Sequence, residues 1–362
     1  MRGTAALLAA LAALTPSLHA QVASPRYTAQ IEAARQAIRD SMASLRVPGA
    51  QVAVIVDGEL VWSEGFGLAD IENQVPVTPE TRLRIASISK AVTAVGVGLL
   101  VQDGKLDLDA EVQRYVPDFP RKRWPITVRQ VAGHLAGIRH YNGDEFASMA
   151  PYPTVRAGLK IFEDDSLLFE PGTRYSYSTY GWNLMSAIVE GASGQPFLQF
   201  MQRRVFGPFG MVHTVPEWPD SLIPHRARAY VHATDAAPAQ NAPYVDNSYK
   251  WAGGGFLSTA EDLVRLGRNL LDGRVLRREV AETLWTSQRL RDGSPTGYGI
   301  GWGARPFHGR RVVSHTGGAM GGTSVLMIFP EQKVVAALIV NSDLTFISAW
   351  PALVEAFLPA TP

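Results

Sequence analysis

Apolar residues recur along this chain with two different periods, and the changes of period mark out its elements. From Tyr27 to Leu45 the positions Ile31, Ala34, Ile38, Met42 and Leu45 fall three or four residues apart, which predicts an amphipathic helix closed by Val47-Pro48-Gly49. Gln51–Val56 and Glu59–Gly67 then read as two strands, joined by Asp57-Gly58, a strong hairpin signal. The first of these strands is apolar on both faces, so its sheet is expected to be covered on both sides. Ala91 to Leu100 is almost wholly apolar and predicts a buried helix whose polar residues stand only at its start.

The middle of the chain is less regular. A helix is expected at Ile126–Leu135, loop-rich chain from 139 to 174, and helices near Gly181–Gly191 and Pro196–Val205. Residues 214 to 250 read as a long irregular excursion. Ser258/Glu261 and Thr259/Asp262 both fit a capping box, which predicts a helix reaching about Leu271. Strand character then returns at Val312–His315, Thr323–Phe329 and Val334–Val340, the last two joined by Pro330-Glu331-Gln332-Lys333, with a closing helix expected at Phe346–Leu358.

Strands at both ends and helices between them predict an α+β fold. Its single antiparallel sheet is built from both chain ends and flanked by the terminal helices, with a helical subdomain inserted. The expected division is a sheet part at about 26–85 and 255–362 and a helical part at about 86–254, within one domain spanning 21–362. A cleft at their junction is the expected place for a small-molecule site.

Composition narrows the function classes. With 362 residues, 46% of them hydrophobic, the chain can bury a large core. Thirty-four basic residues against thirty-three acidic ones leave a net charge of +1, so no electrostatic footprint for nucleic acid or an anionic membrane is present. There is no cysteine, which excludes disulfides, thiol nucleophiles and zinc-thiolate sites together. Met1-Arg2, the Ala/Leu run from Thr4 to Leu14 and Ser17-Leu18-His19-Ala20 predict a cleavable secretory signal over 1–20, with a periplasmic or secreted mature chain starting near Gln21. A mitochondrial transit peptide is the competing expectation, disfavoured by the single arginine before residue 26. No later segment reaches about 18 uninterrupted apolar residues, so no transmembrane anchor is expected once the signal is removed.

Chemistry enters at Ser87-Ile88-Ser89-Lys90. Of the six lysines, only Lys90 has a serine three places earlier. On a helix that spacing puts ammonium and hydroxyl on one face. A lysine in a closed site loses its proton readily and then activates a hydroxyl. The same four residues equally spell an N-cap serine and a solvated lysine. Two further stretches share the polar, site-like character: Pro171-Gly172-Thr173-Arg174-Tyr175-Ser176-Tyr177-Ser178-Thr179-Tyr180-Gly181, and His315-Thr316-Gly317-Gly318.

Taken in order, these stretches resemble the serine penicillin-recognising superfamily of class C β-lactamases, D-alanyl-D-alanine carboxypeptidases and related esterases. The wording is closest to its mitochondrial serine β-lactamase-like branch and the bacterial relatives of that branch. The resemblance is carried by Leu83–Lys90, Gly104–Asp109, His134–Tyr141, Tyr177–Gly181, Gly254–Asp262 and His315–Gly318, and covers nearly all of the chain after residue 20. It implies a β-lactamase/transpeptidase-like fold and a serine hydrolase without cofactor or metal. Ser87 would be the nucleophile that forms an acyl-enzyme, Lys90 its base, and Tyr177 a base and then an acid, acting as phenolate or through Lys90. A free tyrosine has a pKa of about 10, so acting as a base requires Lys90 as a cation that lowers it. The backbone N–H groups of Ser87 and Gly318 would form the oxyanion hole, where loss of one donor costs about 2.7–4 kcal/mol. Thr179, His315, Thr316 and Gly317 would contact substrate.

Two positions depart from the family pattern. His315 stands where many members carry lysine before Thr-Gly, which weakens capture of a substrate carboxylate. Thr179 replaces an asparagine amide that would hold an acylamino side chain. The expected substrate is thus a small ester, amide or peptide, with an esterase, a carboxypeptidase-like peptidase and a weak β-lactamase all open. A non-catalytic binding or filament-forming protein on the same scaffold is the second reading.

Overall fold

All eight residues of β1 (Gly49–Val56) are buried in a computed structural model that describes residues 21–234, 237–343 and 349–359. The expected signal, 1–20, lies outside the described residues, as do 344–348 at the expected start of the closing helix. β1 continues into β2 (Glu59–Asp70) through Asp57 and Gly58, both at positive φ, 50° and 83°, as a tight hairpin turn of matching twist requires. Across its other edge β1 pairs antiparallel with β5 (Val334–Val340), with Val52 opposite Leu338, and the sheet runs on through β4 (Gly322–Phe329) to β3 (Val313–Ala319). The seven-stranded antiparallel sheet is therefore closed by strands from the two chain ends, with β3 at one edge.

Strand periodicity sends alternate side chains to two cores. Val52 and Val54 join Leu338 and Val340 against Ile31, Ala34 and Ile38 of α1 (Thr28–Leu45) and Leu353, Val354 and Phe357 of α5 (Ala349–Phe357). Ala53 and Ile55 face the other way, with Leu326, Ile328, Ala337 and Ile339. There they meet α4 (Ala260–Asp272) and the larger core around α2 (Ile88–Gln102) and α3 (Thr179–Ser193). Every residue of α2 from Ile88 to Leu100 is buried, which is why that segment carries no polar face.

Several boundaries differ from expectation for identifiable reasons. The helix expected at Ile126–Leu135 covers only Val128–Ala132, capped by Thr127 and Gln130 reciprocally, and the chain leaves it as His134 takes φ 63°. At the other capping site Thr259, not Ser258, accepts from the N–H of Asp262; Ser258 ends a short strand and its hydroxyl meets that of Thr214. The helix near Pro196 is a single α-turn, Phe197–Phe200, that widens into a π-helical turn over Met201–Phe206. The strand around His315 does not stop at the glycines but runs through them to Ala319. No helix of the described residues is long and apolar enough to cross a membrane.

Candidate active site

Ser87 stands at the N-cap position of α2 without a side-chain capping bond, directly after Ala86, which holds a left-handed φ of 46°. A non-glycine residue there stores roughly 1–3 kcal/mol, so the surroundings must enforce it. They do so from β3 and β4. The hydroxyl of Ser324 donates to the carbonyl of Ile85 at 2.8 Å. Gly317 lies so close that a Cβ on it would stand 2.4 Å from that carbonyl oxygen and 3.0 Å from the Cβ of Ala86. Gly317 lines neither cavity described below, so its expected place among the substrate contacts gives way to a packing role: it lets β3 press on the turn that presents Ser87.

Lys90 is fully buried, and its Nζ has three neighbours: Gly253 O at 2.6 Å, Thr179 Oγ1 at 3.1 Å and Ser87 Oγ at 3.1 Å. Burial, reinforced by a second cation at Lys250, holds its pKa well below the ordinary lysine range. A neutral amine has two N–H donors and one lone pair. In that neutral form Gly253 and Thr179 accept the two protons and leave the lone pair for the hydroxyl of Ser87. The sequence alternative of a solvated lysine is thereby overturned.

Tyr177 packs its ring 4.8 Å from Lys90 Nζ, and its hydroxyl reaches the Ser87 side chain. Burial pushes its phenol well above the ordinary value, only partly offset by the bond to Ser87. The expectation that Lys90 would lower Tyr177 is corrected on this point: the lysine is the group brought into range, and the tyrosine stays a phenol. Two histidines frame it, with ring centroids at 4.3 Å for His134 and 5.7 Å for His140. Each accepts a backbone N–H at Nδ1, from Ser178 at 3.1 Å and Thr179 at 3.2 Å, fixing the start of α3. Burial above all keeps both neutral, His134 far below its ordinary value and His140 down to about 4.

His315 is buried, and that burial brings its pKa down to about 3. Its Nδ1 lies 2.6 Å from the carbonyl of Thr316 and its Nε2 2.9 Å from the hydroxyl of Tyr298. A carbonyl only accepts, so Nδ1 carries the proton and Nε2 accepts from Tyr298. Both nitrogens are committed, and the imidazole offers a substrate carboxylate neither charge nor a free donor. Along β3, the N–H and C=O of Ser314 pair with Gly303 outside the sheet. By antiparallel alternation the backbone groups of Thr316 and Gly318 leave through the same edge, which points the Gly318 N–H into the cleft.

Two cavities flank this edge, and three residues line both: Ser87, Tyr177 and Gly318. The larger, about 370 Å³, is walled by Tyr175, Tyr298, Arg305, His315 and Thr316. The smaller, about 210 Å³, is walled by His140, Tyr141, Thr179 and Lys250. The sequence-selected residues are thus brought together, apart from Gly317. Lys250, Tyr298 and the framing roles of His134 and His140 were missed. Lys250 alone left a trace: a rare lysine abutting the apolar run Trp251-Ala252-Gly253-Gly254-Gly255-Phe256. Among the described residues no group of three or more His, Asp or Glu side chains is placed to hold a metal ion.

The family model described as Beta-lactamase matches residues 34–355. Serine beta-lactamase-like protein LACTB, mitochondrial, from Homo sapiens is 34% identical over 418 aligned positions, covering 89% of this chain and 76% of that protein. Among solved structures, a D-stereospecific amidohydrolase from Streptomyces sp. is 26% identical with a TM-score of 0.75, covering 90% of this chain and 97% of the other. A D-amino acid amidase from Ochrobactrum anthropi SV3, solved with L-phenylalanine amide, is likewise 26% identical with a TM-score of 0.75, covering 91% and 98%.

Proposed function

The chain belongs to the beta-lactamase family of serine hydrolases, and on that premise we propose that it hydrolyses a small ester or amide through an acyl-enzyme on Ser87. The single observation that carries this reading is the 3.1 Å contact between Ser87 Oγ and a buried Lys90 whose other two neighbours are acceptors. In the first step Ser87 Oγ bonds to the substrate carbonyl carbon and its proton passes to Lys90 Nζ. The backbone N–H groups of Ser87 and Gly318 hold the developing oxyanion. Collapse breaks the bond to the leaving alcohol or amine, which takes a proton from Lys90 through the phenol of Tyr177. Water then attacks the ester on Ser87, Lys90 accepts its proton, and release of the acid returns the proton to Ser87.

The neutral, fully engaged His315 weighs against penicillins and terminal D-alanyl carboxylates as principal substrates. The two solved relatives named for D-stereospecific amidase chemistry make D-amino acid amides the first peptides to try. The reading of 1–20 as a secretory signal remains part of the proposal, and N-terminal sequencing of exported protein should begin near Gln21. Intact-mass measurement after exposure to a mixed panel of esters, D-amino acid amides and β-lactams tests the chemistry. An acyl mass on the peptide containing Ser87 is expected, whereas no adduct and no turnover across the panel would contradict the proposal.

A further inference from the structure

The structure buries a second lysine beside the first and leaves it without an acid. Lys250 is 4% exposed and lines the smaller cavity together with Ser87. Its ammonium sits over three aromatic rings, 4.8 Å from the centroid of Phe146, 5.0 Å from Tyr249 and 5.5 Å from Tyr141. Among the described residues Nζ makes no hydrogen bond and no ion pair, and it faces the cavity. The one acid that influences it, Glu217, is already taken by Arg84, through Nε at 2.9 and 3.0 Å, and by the amide of Asn247 at 2.7 Å. Ring faces attract a cation, but they leave all three of its N–H donors unfilled. Those donors open onto the cavity, where an acceptor that enters it can fill them.

We propose that Lys250 receives a carboxylate of the substrate, so that the smaller cavity selects acyl groups bearing an anion on the side chain or chain end. This rests on the acyl-enzyme reading of Ser87. The geometry places the selection in this cavity and not the larger one. Gly254 bridges the stem of Lys250 and the turn before Ser87: a Cβ on it would stand 3.7 Å from Lys250 Cδ and 3.8 Å from the Ala86 carbonyl carbon. His140 and Thr179, the other polar walls, add no competing negative charge. A carboxylate entering here meets a charged donor in a site with aromatic walls, where a charge-assisted hydrogen bond is strong. It also supplies the acceptor that the fold withholds.

The test pairs two substrates of matched shape, the 4-nitrophenyl monoester of glutaric acid and 4-nitrophenyl valerate. A second pair puts the charge on the leaving group, as 4-carboxyphenyl acetate and 4-carbamoylphenyl acetate. Wild type should favour the glutarate over the valerate by at least about tenfold in kcat/KM, and Lys250→Met should remove most of that ratio. A ratio unchanged by Lys250→Met overturns the proposal. So does a carboxylate preference confined to the leaving-group pair, which would put the anion beside Arg305 in the larger cavity. Calorimetry of glutaric acid monoamide with Ser87→Ala, against the Ser87→Ala/Lys250→Met double variant, reads the same site without turnover. Failure of the serine-hydrolase reading would silence all four esters in wild type and still leave this binding difference to decide the inference.

Discussion

Buried charge is handled in opposite ways on the two sides of the sheet. On the outer side, Arg35 of α1 donates to both oxygens of Glu64 at 2.8–3.0 Å, and the indole N–H of Trp62 completes the carboxylate at 2.8 Å. On the cleft side, Lys90 and Lys250 are buried as deeply or deeper and neither has a carboxylate partner among the described residues. The pKa values follow: the pair raises that of Arg35, whereas burial lowers Lys90 well below its ordinary range and Lys250 to about 7. Pairing keeps a buried charge charged. Withholding the partner brings a buried lysine closer to its neutral amine, which is what a base at Lys90 needs and what structure alone would avoid.

The contrast is broken most completely by removing the amine. Lys90→Met should lower kcat/KM for any accepted ester by about a thousandfold or more, measured by steady-state hydrolysis. On the other side of the sheet Glu64→Gln leaves Arg35 half-paired and should cost about 3 kcal/mol of stability by denaturant titration, with turnover kept. Thr179→Asp makes the cleft imitate the outer face. A carboxylate beside Nζ should hold Lys90 charged, drop kcat/KM at pH 7 by about a hundredfold, and move the acid limb of the pH profile upward.

The withheld charges also set acid stability. His140 and His315 titrate at about 4 and about 3 when folded, against about 6.5 unfolded, so below 6.5 the unfolded chain binds more protons. Stability is then lost as pH falls from about 6.5 towards 4, and the melting midpoint should drop by roughly 5 °C across that window. The smallest effect belongs to Lys250→Met. With that positive neighbour gone Lys90 protonates more easily, and the acid limb should rise by less than about one unit.

Ser87 and Lys90 were legible because a helix turns a spacing of three into a contact, and Tyr177 and Gly318 because their local wording is distinctive. The two-sided sheet is legible from a first strand that is apolar on both faces. Local wording has no access to contacts made across the fold. Lys90 reaches Gly253 across 163 residues, and the partner that neutralises the usefulness of His315, Tyr298, lies on a loop with no motif. The pKa of Tyr177 depends on whether Lys90 is charged, and burial, which no local motif records, decides that. The resemblance implies a substrate contact at Gly317, whereas strand alternation turns it and Gly318 to opposite sides.

The most direct measurement is the rate of labelling by a fluorophosphonate as a function of pH, followed on intact protein by mass. Wild type should take up one equivalent on Ser87, at a rate rising to a plateau near neutral pH, with Lys90→Met slowed by about a thousandfold and Ser87→Ala unlabelled. Equal labelling of Ser87→Ala, or a wild-type rate that rises only as tyrosine ionises near pH 10, would contradict a neutral Lys90 as the base that activates Ser87.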